Sequence, residues 1–131
     1  MNDVIKIMLD RYACKSLEEQ ERALKEIIQE IALLGLWRSK FYEHAAFYGG
    51  TALRIFYGLD RFSEDLDFSL LKAKPNFTLE SYKNAIETEL RGFGFDVTFE
   101  RKEKKGDSKV DSAFVKANTM IHLAFRVLVF V

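Results

Sequence analysis

The sequence predicts an α+β fold in which helices pack mainly on one side of a mixed β-sheet. The chain has 131 residues, an ordinary size for one domain with one hydrophobic core. Helical and strand periodicities follow one another in the order helix, strand, helix, strand, helix and three strands. Several strand segments alternate polar and apolar residues, as in a sheet with one covered face. We therefore treat residues 1–131 as a single domain.

The most clearly marked helix begins after Ser16. Ser16 and Glu19 have the spacing of a capping box, and apolar residues then recur at helical intervals until Gly35, where we expect the helix to end. These apolar residues are Leu24, Ile27, Ile28, Ile31 and Leu34. A second amphipathic helix is predicted over residues 78–92, after the chain break at Pro75.

Five segments have the character of strands. They cover residues 44–48, 63–71, 95–100, 112–117 and 121–131. In the second segment Ser63, Asp65, Asp67 and Ser69 share one face, and the residues between them are mostly apolar. The charged run over residues 101–109 is predicted to be a solvated hairpin loop, with nucleic-acid contact as the alternative.

The last strand segment is unusual because it is apolar on both faces. Interior strands have this character, yet no later element in the sequence covers or pairs with residues 121–131. We expect either that the chain is a fragment or that another copy supplies the cover. If another copy supplies the cover, we expect a homo-oligomer that buries Phe125, Val127 and Val129.

Composition excludes several classes of function. Twenty basic and twenty acidic residues give a net charge of zero, so no global field indicates nucleic acid or an anionic membrane as partner. Cys14 is the single cysteine, which excludes an internal disulfide and fits a reducing compartment. No segment has the apolar run of a signal peptide or the roughly 20 apolar residues of a membrane span. We expect a cytoplasmic protein without a membrane partner.

Candidate metal ligands lie in the second strand. Asp65 and Asp67 are two strand positions apart, so their carboxylates leave the same face about 6.6 Å apart along the strand. At an effective dielectric of about 20, the two charges repel by roughly 2.5 kcal/mol, and a divalent cation between them converts this repulsion into attraction. Oxygen ligands favour Mg²⁺ or Mn²⁺, and Mg²⁺ typically completes its octahedron with water and phosphate oxygens. The implied further ligand is a phosphate.

A glycine turn precedes this strand by fewer than twenty residues. Gly49 and Gly50 stand before a short helix predicted over residues 51–57, and a backbone without Cβ can approach a triphosphate with N–H groups of a helix N-terminus. Thr51 adds a hydroxyl donor. A Gly-Gly turn or an acidic strand alone is common in proteins without such a site. Their succession within a short stretch favours nucleotide transfer, in which metals activate the attacking hydroxyl and the turn holds the outer phosphates.

The stretch FYGGTALRIFYGLDRFSEDLDFSL, residues 47–70, resembles the signature of the AbiEii-type toxin nucleotidyltransferases, a branch of the polymerase-beta-like nucleotidyltransferase superfamily. The resemblance implies a nucleotidyltransferase-like sheet. It implies Gly49, Gly50 and Thr51 as the phosphate-binding turn. It also implies that Asp65 and Asp67 are metal ligands and catalytic residues.

Arg61 and Ser63 match the family pattern R-x-S-x-D-x-D, which implies that they position the nucleotide, although Arg61 can equally form a structural salt bridge. The superfamily adds a third acidic residue from a later strand, and MIHLAFRVLVFV contains none. Asp96, Glu100 and Asp111 are the available substitutes, with plain surface charge as the alternative for each. Family members also have a helical C-terminal portion with a further lysine, which we expect this chain to lack.

The leading hypothesis is a metal-dependent nucleotidyltransferase that moves a nucleoside monophosphate from an NTP to an RNA, such as tRNA, or to a protein. The resemblance implies a toxin–antitoxin or phage-defence role, with a cognate antitoxin as partner. Without a third carboxylate the chain as given is expected to be a poor catalyst. One alternative is an inactive remnant that binds an NTP or another protein. The other is a small interaction domain whose acidic strand is merely solvated.

Overall fold

The computed structural model describes residues 3–58, 65–74, 76–102, 109–117 and 121–129. Within these ranges the helices are α1 (Asp3–Arg11), α2 (Leu17–Arg38), α3 (Gly49–Tyr57) and α4 (Lys83–Gly92), with 3₁₀ turns at Phe41–Glu43 and Leu79–Tyr82. The strands are β1 (Ala45–Tyr48), β2 (Asp65–Leu70), β3 (Val97–Lys102), β4 (Val110–Ala117) and β5 (Ile121–Leu128). The predicted α+β class is confirmed.

The five strands form one mixed sheet in the order β1-β2-β5-β4-β3. β2 and β5 are parallel, and the other neighbouring pairs are antiparallel. The last strand of the chain therefore lies in the centre of the sheet, between β2 and β4. Both edges of β5 are therefore paired within the chain.

The expectation that β5 needs cover from another copy is wrong. Phe125, Val127 and Val129 are fully buried within the single chain. They lie on the inner face of the sheet, where they join the core, and the flanking strands satisfy the backbone on both sides of β5. These three residues thus give no reason to expect an oligomer.

The two faces of the sheet differ sharply in burial. Leu66, Phe68 and Leu70 of β2 are buried on the inner face, and α2 and α4 pack against this side at β5 and β3. On the other face, the alternate residues of the described strands are half-buried or exposed. Helices therefore pack on one side, as predicted, and leave an open face.

Helix α2 extends further than the sequence predicts. Ser16 caps α2 as expected, since its hydroxyl accepts a hydrogen bond from the backbone N–H of Glu19 at 3.1 Å. α2 does not end at Gly35 but continues to Arg38. A Cβ on Gly35 would lie 2.8 Å from the carbonyl oxygen of Ala85, so this glycine permits α2 and α4 to approach closely.

The first helix, α1, was not predicted from the sequence. Its buried residues Ile5 and Leu9 have an i, i+4 spacing that could have indicated it. After α1, the Tyr12 hydroxyl donates to Glu26 Oε1 at 2.8 Å and fixes the segment to α2. None of the helices in the described part of the chain combines the length and apolar composition needed to cross a lipid bilayer.

Candidate functional site

The acidic pair lies on the open face of β2. Asp65 and Asp67 alternate with the fully buried Leu66 and Phe68, as the period of a strand requires. Their side chains are 39% and 16% exposed, respectively. The prediction that both carboxylates share one accessible face is confirmed.

The glycine turn lies directly against this pair. Tyr48, the last residue of β1, is the antiparallel partner of Asp67, and Gly49 then begins α3 with a φ of +90°. A Cβ on Gly49 would lie 3.1 Å from Asp67 Oδ2. Glycine is therefore favoured both by the left-handed backbone and by the close carboxylate. The predicted proximity of the turn to the acidic strand is confirmed.

Thr51 has a different position from the one its predicted role requires. It is buried in the first turn of α3, and its hydroxyl donates to the backbone carbonyl of Asp65. This bond joins α3 to the start of β2. In this arrangement the hydroxyl is not directed to a phosphate on the open face, and only the backbone N–H of Thr51 remains for such a contact.

Arg126 completes the cluster, and the sequence analysis missed it. It lies opposite Asp67 in the parallel pairing of β2 and β5. Its Nε donates to Asp67 Oδ1 at 2.7 Å and its Nη2 to Asp67 Oδ2 at 3.2 Å, while Nη2 also lies 3.2 Å from Asp65 Oδ2. The available signal was that Arg126 is the single charged residue between Ile121 and Val131.

The cluster carries one positive and two negative charges. The hydrogen bond that Arg126 donates to Asp67 raises the pKa of Arg126, and the charges of Asp67 and Asp65 add to this effect against the opposing effect of partial burial. An arginine guanidinium is charged at neutral pH, so the three side chains have a formal charge of −1. The site retains attraction for a further cation.

One of the candidate third carboxylates is structural. Asp111 is fully buried on the inner face, where its Oδ2 accepts from the backbone N–H of Leu79 at 2.6 Å. Its Oδ1 accepts from Arg101 Nη2 at 2.9 Å and from Nε at 3.2 Å. Asp111 is therefore neither a metal ligand beside Asp65 and Asp67 nor a surface charge. It is a buried carboxylate that pairs with Arg101 on the opposite side of the sheet.

Glu100 and Asp96 are too far away to join the pair. Glu100 lies on the open face in β3, level with Asp65 but three strands away, a distance of roughly 14 Å at the usual strand spacing. Its carboxylate pairs with Lys116 at 3.3 Å. Asp96 is exposed just before the same edge strand. The structure brings neither residue to the acidic pair.

Two predicted site residues cannot be compared with the structure, and the metal ligands can be compared only through their side chains. Arg61 and Ser63 lie outside the described residues, so their role in nucleotide positioning stays a prediction. The described side chains include no group of three or more His, Cys, Asp and Glu arranged for a metal. The two carboxylates of Asp65 and Asp67 fit a hard cation that takes its other ligands from water and phosphate, and a cationic group already lies between them.

A buried carboxylate fixes the helix that carries the glycine turn. Glu26 of α2 accepts hydrogen bonds from Tyr12 and from Nε of Arg54 in α3. Glu30 lies nearby, and burial together with the charge of Glu26 raises the pKa of its carboxyl. This network holds α3 to α2 and so orients the N-terminus of α3 toward the open face.

Comparison with known proteins places this fold in the nucleotidyltransferase class. The family model described as nucleotidyl transferase AbiEii toxin, type IV toxin–antitoxin system, matches residues 31–126. This range contains the glycine turn, the acidic strand and Arg126. The chain belongs to the AbiEii nucleotidyltransferase toxin family, as the resemblance of residues 47–70 indicated. A search of curated proteins gave no significant match.

Solved structures with the same fold include two bacterial proteins. JHP933 from Helicobacter pylori is 21% identical, with a TM-score of 0.57 over 82% of this chain and 43% of that protein. MenT4, a nucleotidyltransferase toxin from Mycobacterium tuberculosis, is 23% identical, with a TM-score of 0.52 over 94% of this chain and 42% of that protein. At these identities the likeness shows the fold alone. The chain spans a little over two fifths of the length of these proteins.

Proposed function

We propose that this chain binds a metal–NTP complex as part of a toxin-type nucleotidyltransferase, which transfers a nucleoside monophosphate to an RNA such as tRNA or to a protein. The observation that carries the proposal is the proximity of Gly49, at the start of α3, to the carboxylate of Asp67, since a Cβ on Gly49 would lie 3.1 Å from Asp67 Oδ2. Family membership supports an NTP donor, a cognate antitoxin as partner and a role in toxin–antitoxin or phage-defence systems. The cytoplasm, which supplies NTPs, is the proposed location.

The phosphate-binding part is the first turn of α3. The first backbone N–H groups of a helix have no partner within the helix, and they favour an anion. Tyr48 is the N-cap residue, and its side chain makes no capping hydrogen bond to them. The N–H groups of Gly49, Gly50 and Thr51 are thus proposed to hold the outer phosphates, with the Thr51 hydroxyl fixing this turn to β2.

Asp65 and Asp67 are the proposed ligands for Mg²⁺ or Mn²⁺. When bound, such a metal offsets charge on the transferred phosphoryl group and on the leaving pyrophosphate and assists ionisation of the attacking hydroxyl. The chain contributes the position of the two carboxylates, which β2 holds on one face beside the turn. The fold therefore supplies orientation, and this is a large part of the catalysis of phosphoryl transfer.

A second function, nucleotide binding with little turnover, is favoured by the composition of β5. Among the residues of β5 that pair with β2, those on the open face are Ala124, Arg126 and Leu128, and none of these three can accept a proton from an attacking hydroxyl. Loss of a general base typically lowers a rate by about 10²–10⁴. We therefore propose that binding persists where transfer by this chain is slow.

The binding test compares thermal stability with Mg²⁺ or Mn²⁺ and each of the four NTPs. A ligand at 100 times its Kd stabilises the folded state by about 2.7 kcal/mol, and we expect this shift in wild type but not in Asp65→Asn/Asp67→Asn. Glu100→Gln is the matched control, since it removes a carboxylate from the same face at a distance, and it should retain the shift. An equal shift in wild type and the double variant would contradict the site.

The transfer test uses labelled NTPs with total RNA and with total protein as acceptors. We expect slow labelling by wild type and none by Asp65→Asn/Asp67→Asn. Labelling of RNA or of protein would identify the acceptor class. Stable binding without labelling of either would favour the second function, and labelling that survives the double substitution would exclude these two carboxylates from catalysis.

A further inference from the structure

Arg126 occupies the place where the proposed metal would bind. Its guanidinium contacts three of the four oxygens of the two carboxylates: both oxygens of Asp67 and Oδ2 of Asp65. Mg²⁺ binds carboxylate oxygens at about 2.0–2.1 Å, so a metal between these carboxylates needs the same space and the same charge. Arg126 and the metal are therefore competitors for one site.

The side chain of Arg126 can leave without disturbing the sheet. Its neighbours Phe125 and Val127 are fully buried and fix β5 in register with β2, whereas its own side chain is 51% exposed. An exposed ion pair is weak because water and salt replace it readily. Displacement thus requires only a change of side-chain rotamer on a rigid strand.

A released guanidinium has a second anion within reach. Asp67, which Arg126 contacts, lies against Gly49 at the N-terminus of α3, where the phosphates are proposed to bind. Arginine binds phosphate oxygens in a fixed bidentate geometry, so a short movement exchanges carboxylate for phosphate. The exchange keeps the positive charge within the site.

We propose that Arg126 is an internal counter-cation which a divalent metal displaces from Asp65 and Asp67, and which then contacts the phosphates of the incoming nucleotide. The inference rests on the proposed function. It makes Arg126 a residue that lowers the affinity for metal alone and raises the affinity for polyphosphate in the presence of metal. Metal and nucleotide consequently bind better together than separately.

The opposite signs of these two effects provide the test. Arg126→Gln should bind Mn²⁺ alone about tenfold more tightly than wild type, because the carboxylates lose a competing charge. The free Mn²⁺ signal in electron paramagnetic resonance measures this affinity directly. The same variant should bind tripolyphosphate about tenfold more weakly at saturating Mn²⁺, as measured by calorimetry, because a charged bidentate donor is lost. Tripolyphosphate carries no base, so base preference does not enter.

Two variants control for charge and for folding. Lys116→Gln removes a positive charge from the same face, where Lys116 pairs with Glu100, and should change neither affinity. Arg126→Lys retains the charge but loses the bidentate geometry, so its Mn²⁺ affinity should stay closer to wild type than that of Arg126→Gln, while tripolyphosphate binds more weakly. If Arg126→Gln does not fold, the test uses Arg126→Lys alone. Weaker tripolyphosphate binding without a weaker Mn²⁺ affinity in this variant would then support the role of Arg126.

The outcomes separate this inference from the proposed function. Unchanged affinities, or changes of the same sign, would overturn the role of Arg126. If Asp65→Asn/Asp67→Asn still removes Mn²⁺ binding in that case, the metal site remains. If Mn²⁺ binding by wild type and Arg126→Gln is absent or independent of both aspartates, the proposed metal site and the role of Arg126 both fail.

Discussion

Two arginine–carboxylate clusters lie on opposite faces of the same sheet, and they differ in burial and in charge balance. On the inner face, Asp111 is fully buried and accepts hydrogen bonds from one arginine, Arg101, and from a backbone N–H. On the open face, Arg126 is shared by Asp65 and Asp67, which both remain partly exposed. The inner cluster is neutral and its carboxylate is closed to solvent, although the Arg101 side chain is 27% exposed, whereas the outer cluster has an excess negative charge and both of its carboxylates reach solvent.

This difference separates a structural carboxylate from the two proposed metal ligands. A buried carboxylate whose oxygens are both bound by partners inside the protein has no oxygen available for a ligand, and its loss destabilises the fold. A carboxylate pair that shares one exposed cation is poorly neutralised by the protein itself and can exchange that cation for another. Sequence position alone suggested Asp111 as a substitute metal ligand, and burial is the property that excludes it.

Removal of the inner carboxylate should have the largest effect on stability. Asp111→Ala leaves Arg101 charged without its buried partner, and we expect a loss of about 3–5 kcal/mol in the free energy of unfolding. Asp67→Ala, on the open face, should lose no more than about 1 kcal/mol. Urea unfolding of both variants measures the difference. Similar losses in the two variants would mean that both clusters are structural.

The ion pair between α2 and α3 should have an intermediate effect. Glu26 is nearly buried, while Arg54 is more exposed, so Glu26→Ala should destabilise the protein by about 2 kcal/mol, between the surface and buried limits. Because this pair orients α3, the variant should also show a smaller metal–NTP thermal shift than wild type. Glu21→Ala on the exposed face of α2 is the control. A full thermal shift in Glu26→Ala would show that α3 is oriented by its other contacts.

The two glycines of the turn should differ in their response to substitution by alanine. Gly49→Ala places a Cβ 3.1 Å from Asp67 Oδ2 at a φ of +90°, and we expect a loss of about 1–2 kcal/mol in stability. Gly50 is not among the residues with positive φ, and alanine is the better helix former, so Gly50→Ala should be neutral or stabilising. Thermal unfolding measures both. Equal effects would mean that the strain at Gly49 does not determine its identity.

The elements that could be predicted from the sequence are those that depend on local periodicity. The alternation in β2 places Asp65 and Asp67 on one face in any register, and Gly49 and Gly50 mark the start of α3 by themselves. Arg126 could not be assigned in this way, since its contact with Asp67 spans 59 positions and depends on β5 pairing with β2. Strand order results from packing of the whole chain, which periodicity does not specify. The continuation of α2 beyond Gly35 has the same cause, because it depends on α4.

The smallest effect concerns Glu30, a carboxyl that the fold disfavours in its charged form. Burial and the charge of Glu26 raise its pKa above the ordinary value of 4.5, against the opposing charge of Arg54. A raised pKa means that the folded state binds the proton more tightly than the unfolded state, so stability from this group is complete below about pH 4.5 and falls as pH rises through the folded pKa. Glu30→Gln should therefore raise stability at pH 7 by about 0.5 kcal/mol, the scale of a partly screened interaction, and have no effect at pH 4. Thermal unfolding from pH 4 to 8, with Glu21→Gln as the exposed control, measures this. A gain that is equal at both pH values would show that Glu30 affects stability through packing and not through its charge.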